Sequence, residues 1–267
     1  MISFVVRHSN YSVGVASFQH FVGVRECLQY LSSKSYNLIL YCFPCRIFLY
    51  SDHLTSINLA FSNDPDSNAT MKVDFTDRNI RSDLLSIAHD YIHASPVCRT
   101  YSYLSGGCHR SKDNYNLSGD SHEADGMLLE LYFFIEQALR NNNDATITIE
   151  NPRGKMQHSN IMKELFESKL DFKKYEIFYC QFGRGDMKPT HIWTNDAKLG
   201  QLLKIEGGKC TCGKLHEEGV RSSPGKNFAA LPMALCELLS TYVHSKHTQI
   251  KFDKRIASNN GSASGDA

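Results

Sequence analysis

A cysteine in a polar loop is the residue of this chain best placed to react. Residues 90–94 form a short apolar run that predicts a buried strand, and Ser95-Pro96 interrupts that pattern just before Cys98. In open α/β sheets, ligands bind beyond the carboxyl ends of the strands, so a thiol at this point lies where a substrate would be. A cysteine buried near a turn explains the same residues, because cysteine is among the most buried residue types.

Glu150 is the second candidate. The β-branched run 145–149 predicts another strand, and Glu150, Asn151-Pro152 and Gly154 follow it. A carboxylate at the end of a buried strand is costly unless it is hydrogen-bonded or used in chemistry. Glu150 is therefore a site candidate on its residue type and position alone.

A third group of polar residues belongs to a predicted hairpin. Residues 175–180 predict a strand, and residues 192–195 predict its partner. The connection between them offers the amide of Gln181 and two cations, Arg184 and Lys188, beside the same end of the sheet. A solvated turn accounts equally well for these charges.

Cysteine and histidine residues suggest metal ligands in two places. Cys210, Cys212 and His216 fall within seven residues, a tight but feasible spacing for a zinc knuckle. No fourth ligand is evident, so a surface turn is the favoured interpretation and zinc the alternative. The Cys-x-x-Cys pair at Cys42 and Cys45 has no second pair at matching spacing, which also disfavours zinc.

The elements that must position these residues alternate between strands and helices. Residues 57–61 predict a strand that leads to Asp64, and residues 71–74 predict another that ends at Asp74. Helices are predicted at 78–88, 160–168 and 229–243, and most clearly at 123–140, whose apolar residues recur at helical spacing. This alternation predicts an α/β fold with a mainly parallel sheet.

Three parts of the chain differ in how well they can be interpreted. Residues 1–56 are the least readable, although 18–31 could form a helix and 37–41 a strand. Residues 57–245 predict one domain with a short insert at 196–223, and residues 246–267 predict a flexible tail because the end is rich in Ser, Gly and Asn. The polar loop 103–122 is long enough to suggest a functional or mobile segment.

Composition excludes several classes of protein. The chain has 267 residues, 42% hydrophobic and 21% charged, with a formal net charge of +1, which predicts a globular protein without a global attraction to nucleic acid. No apolar run has the length of a membrane span, and the start does not resemble a signal peptide. The nine cysteines are odd in number and scattered, which favours an intracellular reducing compartment, cytoplasm or nucleus.

The ordered series of motifs resembles the DNA cytosine-5 methyltransferase family, in particular its short phage- and virus-type members. The resemblance covers about 61–243, and the matching segments occur in the family's order. The matching residues are Ser95-Pro96-Val97-Cys98, Glu150-Asn151-Pro152, Gln181-Phe182-Gly183, Lys188-Pro189-Thr190, Ile192-Trp193-Thr194-Asn195 and Leu231-Pro232.

The resemblance implies a Rossmann-like fold and methyl transfer from S-adenosylmethionine to C5 of cytosine in double-stranded DNA. Cys98 would add to C6 as a thiolate, helped by the positive charge of Arg99 or Arg184, and Glu150 would contact N3 and the exocyclic amine. The base would leave the duplex, and loop 103–122 would close over it. The remaining roles are implied as follows: catalysis for Arg184; substrate binding for Ser95, Asn151, Gln181 and Lys188; cofactor binding for Asp64, Asp74 and Pro96.

This chain departs from the family pattern in three places. The family's glycine-rich cofactor motif should precede the strand at Ile57 and is not found, which predicts a fold incomplete at its N-terminus. Val97 replaces the proline before the nucleophile, and the segment from Asn195 to Pro224 is short for a target-recognition domain. The alternative function is therefore a catalytically inactive, methyltransferase-like protein that binds nucleic acid.

Overall fold

The fold is mixed α/β, with strands and helices alternating along most of the chain. The computed structural model describes the backbone of residues 2–7, 13–18, 46–51, 54–60 and 71–72, and with side chains most of 75, 77–86, 88–105, 107–213, 216 and 231–262. Strands β1 (Ile2–Arg7) and β2 (Val13–Phe18) pair antiparallel in a small sheet of their own. The larger sheet contains seven strands: β3 (Arg46–Ser51), β4 (Leu54–Ala60), β5 (Met71–Lys72), β6 (Tyr91–Ser95), β7 (Thr146–Pro152), β8 (Lys173–Phe178) and β9 (Pro189–Thr194).

The order of the seven strands across the sheet is β5-β4-β3-β6-β7-β9-β8. The chain therefore moves outward from β3 to one edge and then restarts at β6 on the other side, as in doubly wound sheets. The strand order therefore reverses between β3 and β6. The ends of β6 and β7 lie beside this point.

Strand direction separates the two halves of the sheet. β6 and β7 pair parallel, whereas β9 is antiparallel to both β7 and β8. β3 runs antiparallel to β4 and to β6, and Arg46 at its start pairs with Ser95 at the end of β6. The start of β3, and not its end, therefore lies at the sheet edge that follows β6.

Among the described residues, the four longest helices are α1 (Arg78–Leu85), α2 (Gly119–Asn141), α3 (Ala197–Gly207) and α4 (Met233–Ser262). The buried stripe of α2 packs with Ile147 and Ile149 of β7 in one apolar cluster. α3 and the start of α4 pack in a second cluster with Ile177 of β8. The neighbours Ile192 and Trp193 of β9 fall in different clusters, because successive side chains of a strand point to opposite faces. Both faces of this half of the sheet are thus covered.

The patterns that predicted β4, β5, β6, β7, β8, β9, α1 and α2 are confirmed to within a few residues at each end. The segment predicted as a helix at 160–168 is π-helical over Ile161–Glu167. The predicted strand at 37–41, and all but Phe18 of the predicted helix at 18–31, lie outside the described residues. Phe18 itself ends β2.

The prediction of a flexible tail at 246–267 is wrong for most of its length, because α4 continues to Ser262. Lys246 donates to Asp196 at 2.9 Å and Lys254 to Asp144 at 2.8 Å, and His247 is buried. These contacts tie the polar second half of the helix to the sheet. Among the described helices, none has the length and apolar character needed to cross a membrane.

Candidate active site and a cysteine–histidine cluster

Cys98 and Glu150 come from neighbouring parallel strands and converge at one edge of the sheet. Ala94 of β6 pairs with Ile149 of β7, so the turn after Ser95 lies beside Glu150. Cys98 is partly buried, and its carbonyl accepts a hydrogen bond from the amide of Tyr101 at 3.0 Å. The topology thus brings together the two residues that the sequence singles out first.

The Glu150 carboxylate is buried, with 4% of the residue exposed, and has two polar neighbours among the described residues. The hydroxyl of Tyr179 donates to its Oε1 at 2.8 Å. The Lys188 Nζ lies 4.0 Å from the same oxygen. A buried carboxylate costs less free energy when a hydrogen bond and a cation compensate its charge, which is the situation here.

Lys188 also faces the ring of Tyr179, with Nζ 4.6 Å from the ring centroid, in a cation–π contact. Its backbone has φ of +26°, a region that residues other than glycine seldom occupy. Such strain persists only where the surroundings impose it, and it is common at functional sites. The strained backbone places the ammonium group between Tyr179 and Glu150.

Four influences set the pKa of the Cys98 thiol. Burial raises it above its ordinary value, the negative charge of Glu150 raises it further, and the positive charge of Lys188 lowers it; the smallest influence is a backbone hydrogen bond at Cys98, which also lowers it. The net direction is upward. The resting thiol is therefore mostly protonated at neutral pH, and Lys188 is the cation that favours the thiolate.

The two cations that the sequence proposed for this role, Arg99 and Arg184, each pair with a carboxylate. Arg99 is exposed, with its guanidinium 3.6 Å from the carboxylate of Asp120. Arg184 forms a bidentate pair with Asp186, at 2.6 and 2.9 Å, and stands over the ring of Tyr179 at 5.4 Å. Arg184 therefore contacts the group that binds Glu150, but Lys188 is the cation that acts on Cys98.

Asn151, Pro96 and Ser95 tie the reactive turn to the sheet. The buried Asn151 amide donates to the carbonyl of Pro96 at 3.1 Å. The hydroxyl of Ser95 is 3.1 Å from Nε2 of His93, whose Nδ1 is 2.8 Å from the hydroxyl of Thr148. These contacts hold the turn, so the structure gives Asn151 a positioning contact where the resemblance implies substrate binding.

The loop after Cys98 is anchored by a buried arginine. The guanidinium of Arg110 pairs with Asp125 of α2 at 2.7 and 3.1 Å and lies 4.0 Å from the ring centroid of Tyr101. The hydroxyl of Tyr101 donates to the same carboxylate at 2.5 Å. The loop ends at α2, which begins at Gly119, four residues before the predicted helix start. Closure of this loop over a base stays a prediction, and Arg110 is the point at which the loop is held to α2.

Gln181 lies beside sulfur atoms, away from Glu150. Its Nε2 donates to Sγ of Cys212 at 3.3 Å, and its Oε1 accepts from the hydroxyl of Thr211 at 2.9 Å. Cys180, Cys210, Cys212 and His216 form what we call the Cys3His cluster, whose candidate ligand atoms all lie within 4.8 Å of one another. Hydrogen bonds from the Cys212 backbone and the His216 ring lower the pKa of the Cys210 thiol to about 7.

The two acids assigned to the cofactor, Asp64 and Asp74, lie outside the described residues. The strands that precede them end at the same edge as β6, since Ala60 and Ser95 both pair with Arg46, and Lys72 pairs with Ala60.

The sequence alone identified neither Tyr179 nor the charge role of Lys188, and it missed Cys180 as a fourth member of the cluster. An aromatic residue at the end of a strand is typical of a core, so Tyr179 carries no signal of its own. Cys180 was readable as a cysteine after a strand, but it is thirty residues from Cys210, and only the packing of β8 against α3 joins them.

Comparison with known proteins adds no relative: neither a protein-family model, nor a curated protein, nor a solved structure matches this chain.

Proposed function

We propose that this chain acts on cytosine in DNA, with Cys98 adding to C6 of the base, and that its overall activity is cytosine-5 methylation. The convergence of Cys98, Glu150 and Lys188 at the ends of β6, β7 and the β8–β9 connection supports this most strongly. The order of the motifs, which resembles that of the DNA cytosine-5 methyltransferases, supports the choice of base.

The residues of this chain suit the addition step. The Cys98 thiolate donates an electron pair to C6, a sulfur–carbon bond forms, and the electrons of the C5–C6 double bond move into the ring. The proton of the Cys98 thiol passes to solvent when the thiolate forms. Protonation of N3 stabilises the charge that develops on the ring, and Glu150 supplies that proton in its carboxylic acid form. Among the described residues, Tyr179 and Lys188 engage Oε1 of Glu150, which leaves Oε2 for the base. A base inside a duplex is out of reach, so it must first leave the stack.

The described residues suit the methyl donor that the resemblance implies, S-adenosylmethionine, less well than they suit the addition step at Cys98. A glycine-rich cradle requires a strand that ends at the ligand edge, followed by a turn into a helix. β3 has the opposite direction, because it is antiparallel to β6 and its first residue, Arg46, pairs with Ser95 at the end of β6. We therefore derive no step of the reaction through the methyl donor.

The reversed β3 favours a second candidate function: a methyltransferase-like domain that binds nucleic acid without transferring a methyl group. The two candidates share the fold and the base-directed residues. They differ in whether a methyl donor is used, so one experiment with and without S-adenosylmethionine separates them.

The test uses duplex DNA with tritium at C5 of cytosine. Addition of Cys98 to C6 makes C5 basic, so C5 takes a proton from water, and elimination of the thiolate then releases tritium. We expect release by the natural protein in the absence of a methyl donor, and a loss on the order of 10³-fold in Cys98→Ala. Cys108→Ala, which alters an exposed cysteine, should release tritium at the natural rate.

A second arm adds S-adenosylmethionine and measures 5-methylcytosine in the DNA. Its appearance supports the methyltransferase, whereas tritium release without methylation supports addition at Cys98 but leaves methylation unsupported. DNA binding with neither reaction supports the nucleic-acid-binding candidate. A folded protein that neither binds DNA nor releases tritium contradicts both candidates.

A further inference from the structure

The Cys3His cluster joins two segments that are distant in sequence. Cys180 lies in the single turn Tyr179–Phe182 after β8, whereas its other members follow the end of α3. Close packing brings the segments together, because a Cβ added at Gly207 of α3 would lie 2.4 Å from the ring of Phe182. The cluster is thus a consequence of the tertiary fold and not of one local turn.

The distances suit a single small cation. The candidate ligand atoms lie within 4.8 Å of one another, and Sγ of Cys210 is 3.0 Å from Nε2 of His216. In a tetrahedral zinc site with Zn–S bonds of about 2.3 Å, ligand atoms are separated by about 3.8 Å. Shifts of about 1 Å or less, inward for the widest pair and outward for Cys210 and His216, therefore close the site around a metal.

We infer that the Cys3His cluster is a structural zinc site. Three thiolates and one imidazole form a soft donor set that selects zinc over the hard cations calcium and magnesium. Binding displaces the three thiol protons to solvent, and four protein ligands leave no open position for a substrate or a water molecule. Zinc in this place holds the protein together and takes no part in the reaction.

Outer contacts of the cluster match those of thiolate ligands. The Gln181 amide donates to Sγ of Cys212 at 3.3 Å and approaches Sγ of Cys180 at 3.8 Å. Thr211 holds the other end of this amide at 2.9 Å. Groups that donate hydrogen bonds to metal ligands fix their orientation and balance their charge. Gln181, expected to bind substrate, supports the metal ligands here.

The site also bears on the proposed chemistry. Cys180 directly follows Tyr179, which donates to Glu150, so a metal bound at Cys180 restrains the backbone that places this hydroxyl. The 209–216 segment is held to the hairpin by the same metal. The existence of the zinc site does not depend on the proposed function, because metal content is measured without DNA.

The experiment measures zinc bound to the full chain, purified under reducing conditions without chelator, by elemental analysis and native mass spectrometry. We expect one zinc per chain in the natural protein and in the control Cys108→Ser. Cys180→Ser should lose at least about nine tenths of the metal, because the remaining three ligands bind far more weakly. This variant is decisive, since Cys180 is remote in sequence from the other three ligands.

A second measurement remains informative if Cys180→Ser fails to fold. Cobalt added to zinc-free natural protein should give the intense visible bands of tetrahedral coordination and a thiolate-to-cobalt charge-transfer band. A folded natural protein with neither zinc nor these bands overturns the inference. So does undiminished zinc in Cys180→Ser, or a disulfide between two cluster cysteines in protein purified with reductant.

Discussion

The two halves of the large sheet approach the same edge in different ways. In the half that begins with β6, strands β6 and β7 run parallel and bring Cys98 and Glu150 to the same edge. In the half that begins with β3, this strand runs antiparallel to both of its neighbours. Its first residue, and not its last, therefore lies at the edge where β6 ends. We call the half with β6, β7, β9 and β8 the base-directed half, after the proposed function. Among the described residues it brings Cys98 and Glu150 together, whereas the half with β3, β4 and β5 supplies no glycine-rich turn for the proposed methyl donor. The difference teaches that the two halves can be tested separately, one through addition at Cys98 and the other through the proposed methyl transfer.

Lowering the pH should have the largest effect on the stability of the protein, through buried histidines of the base-directed half. Burial lowers the pKa of His89, His93 and His191 to about 4, below the ordinary value of 6.5. The unfolded chain binds these protons at higher pH than the folded chain does, so stability rises with pH between 4 and 6.5. We expect full stability above pH 6.5 and progressive loss toward pH 4, measured by urea unfolding at each pH. A midpoint that does not change over this range would contradict the burial of these histidines.

The anchor of the cysteine loop should give the next largest effect. Asp125→Asn leaves the guanidinium of Arg110, with 1% of its side chain exposed, without its charge partner. Breaking a buried ion pair on one side costs about 3–5 kcal/mol, which urea unfolding measures. Asp113→Asn, at an exposed site in the same loop, should change the free energy of unfolding by less than about 0.5 kcal/mol. Equal effects of the two substitutions would contradict the anchoring role of Arg110.

Removing the charge of Glu150 or of Lys188 should change the reactivity of Cys98 by a smaller amount and in opposite directions. Burial and Glu150 raise the pKa of the Cys98 thiol and Lys188 lowers it. Glu150→Gln should therefore speed alkylation of Cys98 by iodoacetamide, and Lys188→Met should slow it, each by about three- to tenfold at neutral pH. Peptide mass spectrometry follows Cys98, with Cys108 as the internal control. The same Glu150→Gln variant should lose tritium release from cytosine, which separates thiol reactivity from base recognition.

Sequence patterns predicted the base-directed half well because its signals are local. The helical stripe of α2 and the apolar runs of β6 and β7 are each visible within one window of the chain. Cys98 and Glu150 follow directly from the ends of those strands. The sequence analysis predicts no helix in the insert 196–223, and so misses α3. Asp196 is the signal for its start, since its carboxylate caps the amides of Lys198 and Leu199.

Other features depend on contacts between distant residues, which no local pattern contains. The polar composition of the end of α4 predicts a flexible tail. In the structure, Lys246 donates to Asp196 and Lys254 to Asp144. The backbone strain at Lys188 and the meeting of Cys180 with Cys210 exist only in the folded chain. The direction of β3 is also a property of pairing, and the sequence indicated only that a glycine-rich motif was missing.

The most direct test of the central claim is covalent capture on duplex DNA that contains 5-azacytosine. The ring nitrogen at position 5 makes C6 more electrophilic, so a thiolate adduct can form without a methyl donor. We predict an adduct that resists denaturation and that peptide mass spectrometry locates at Cys98, absent in Cys98→Ala and retained in Cys108→Ala. An adduct at another residue, or none from a folded protein that binds the DNA, would contradict the assignment of Cys98 as the nucleophile.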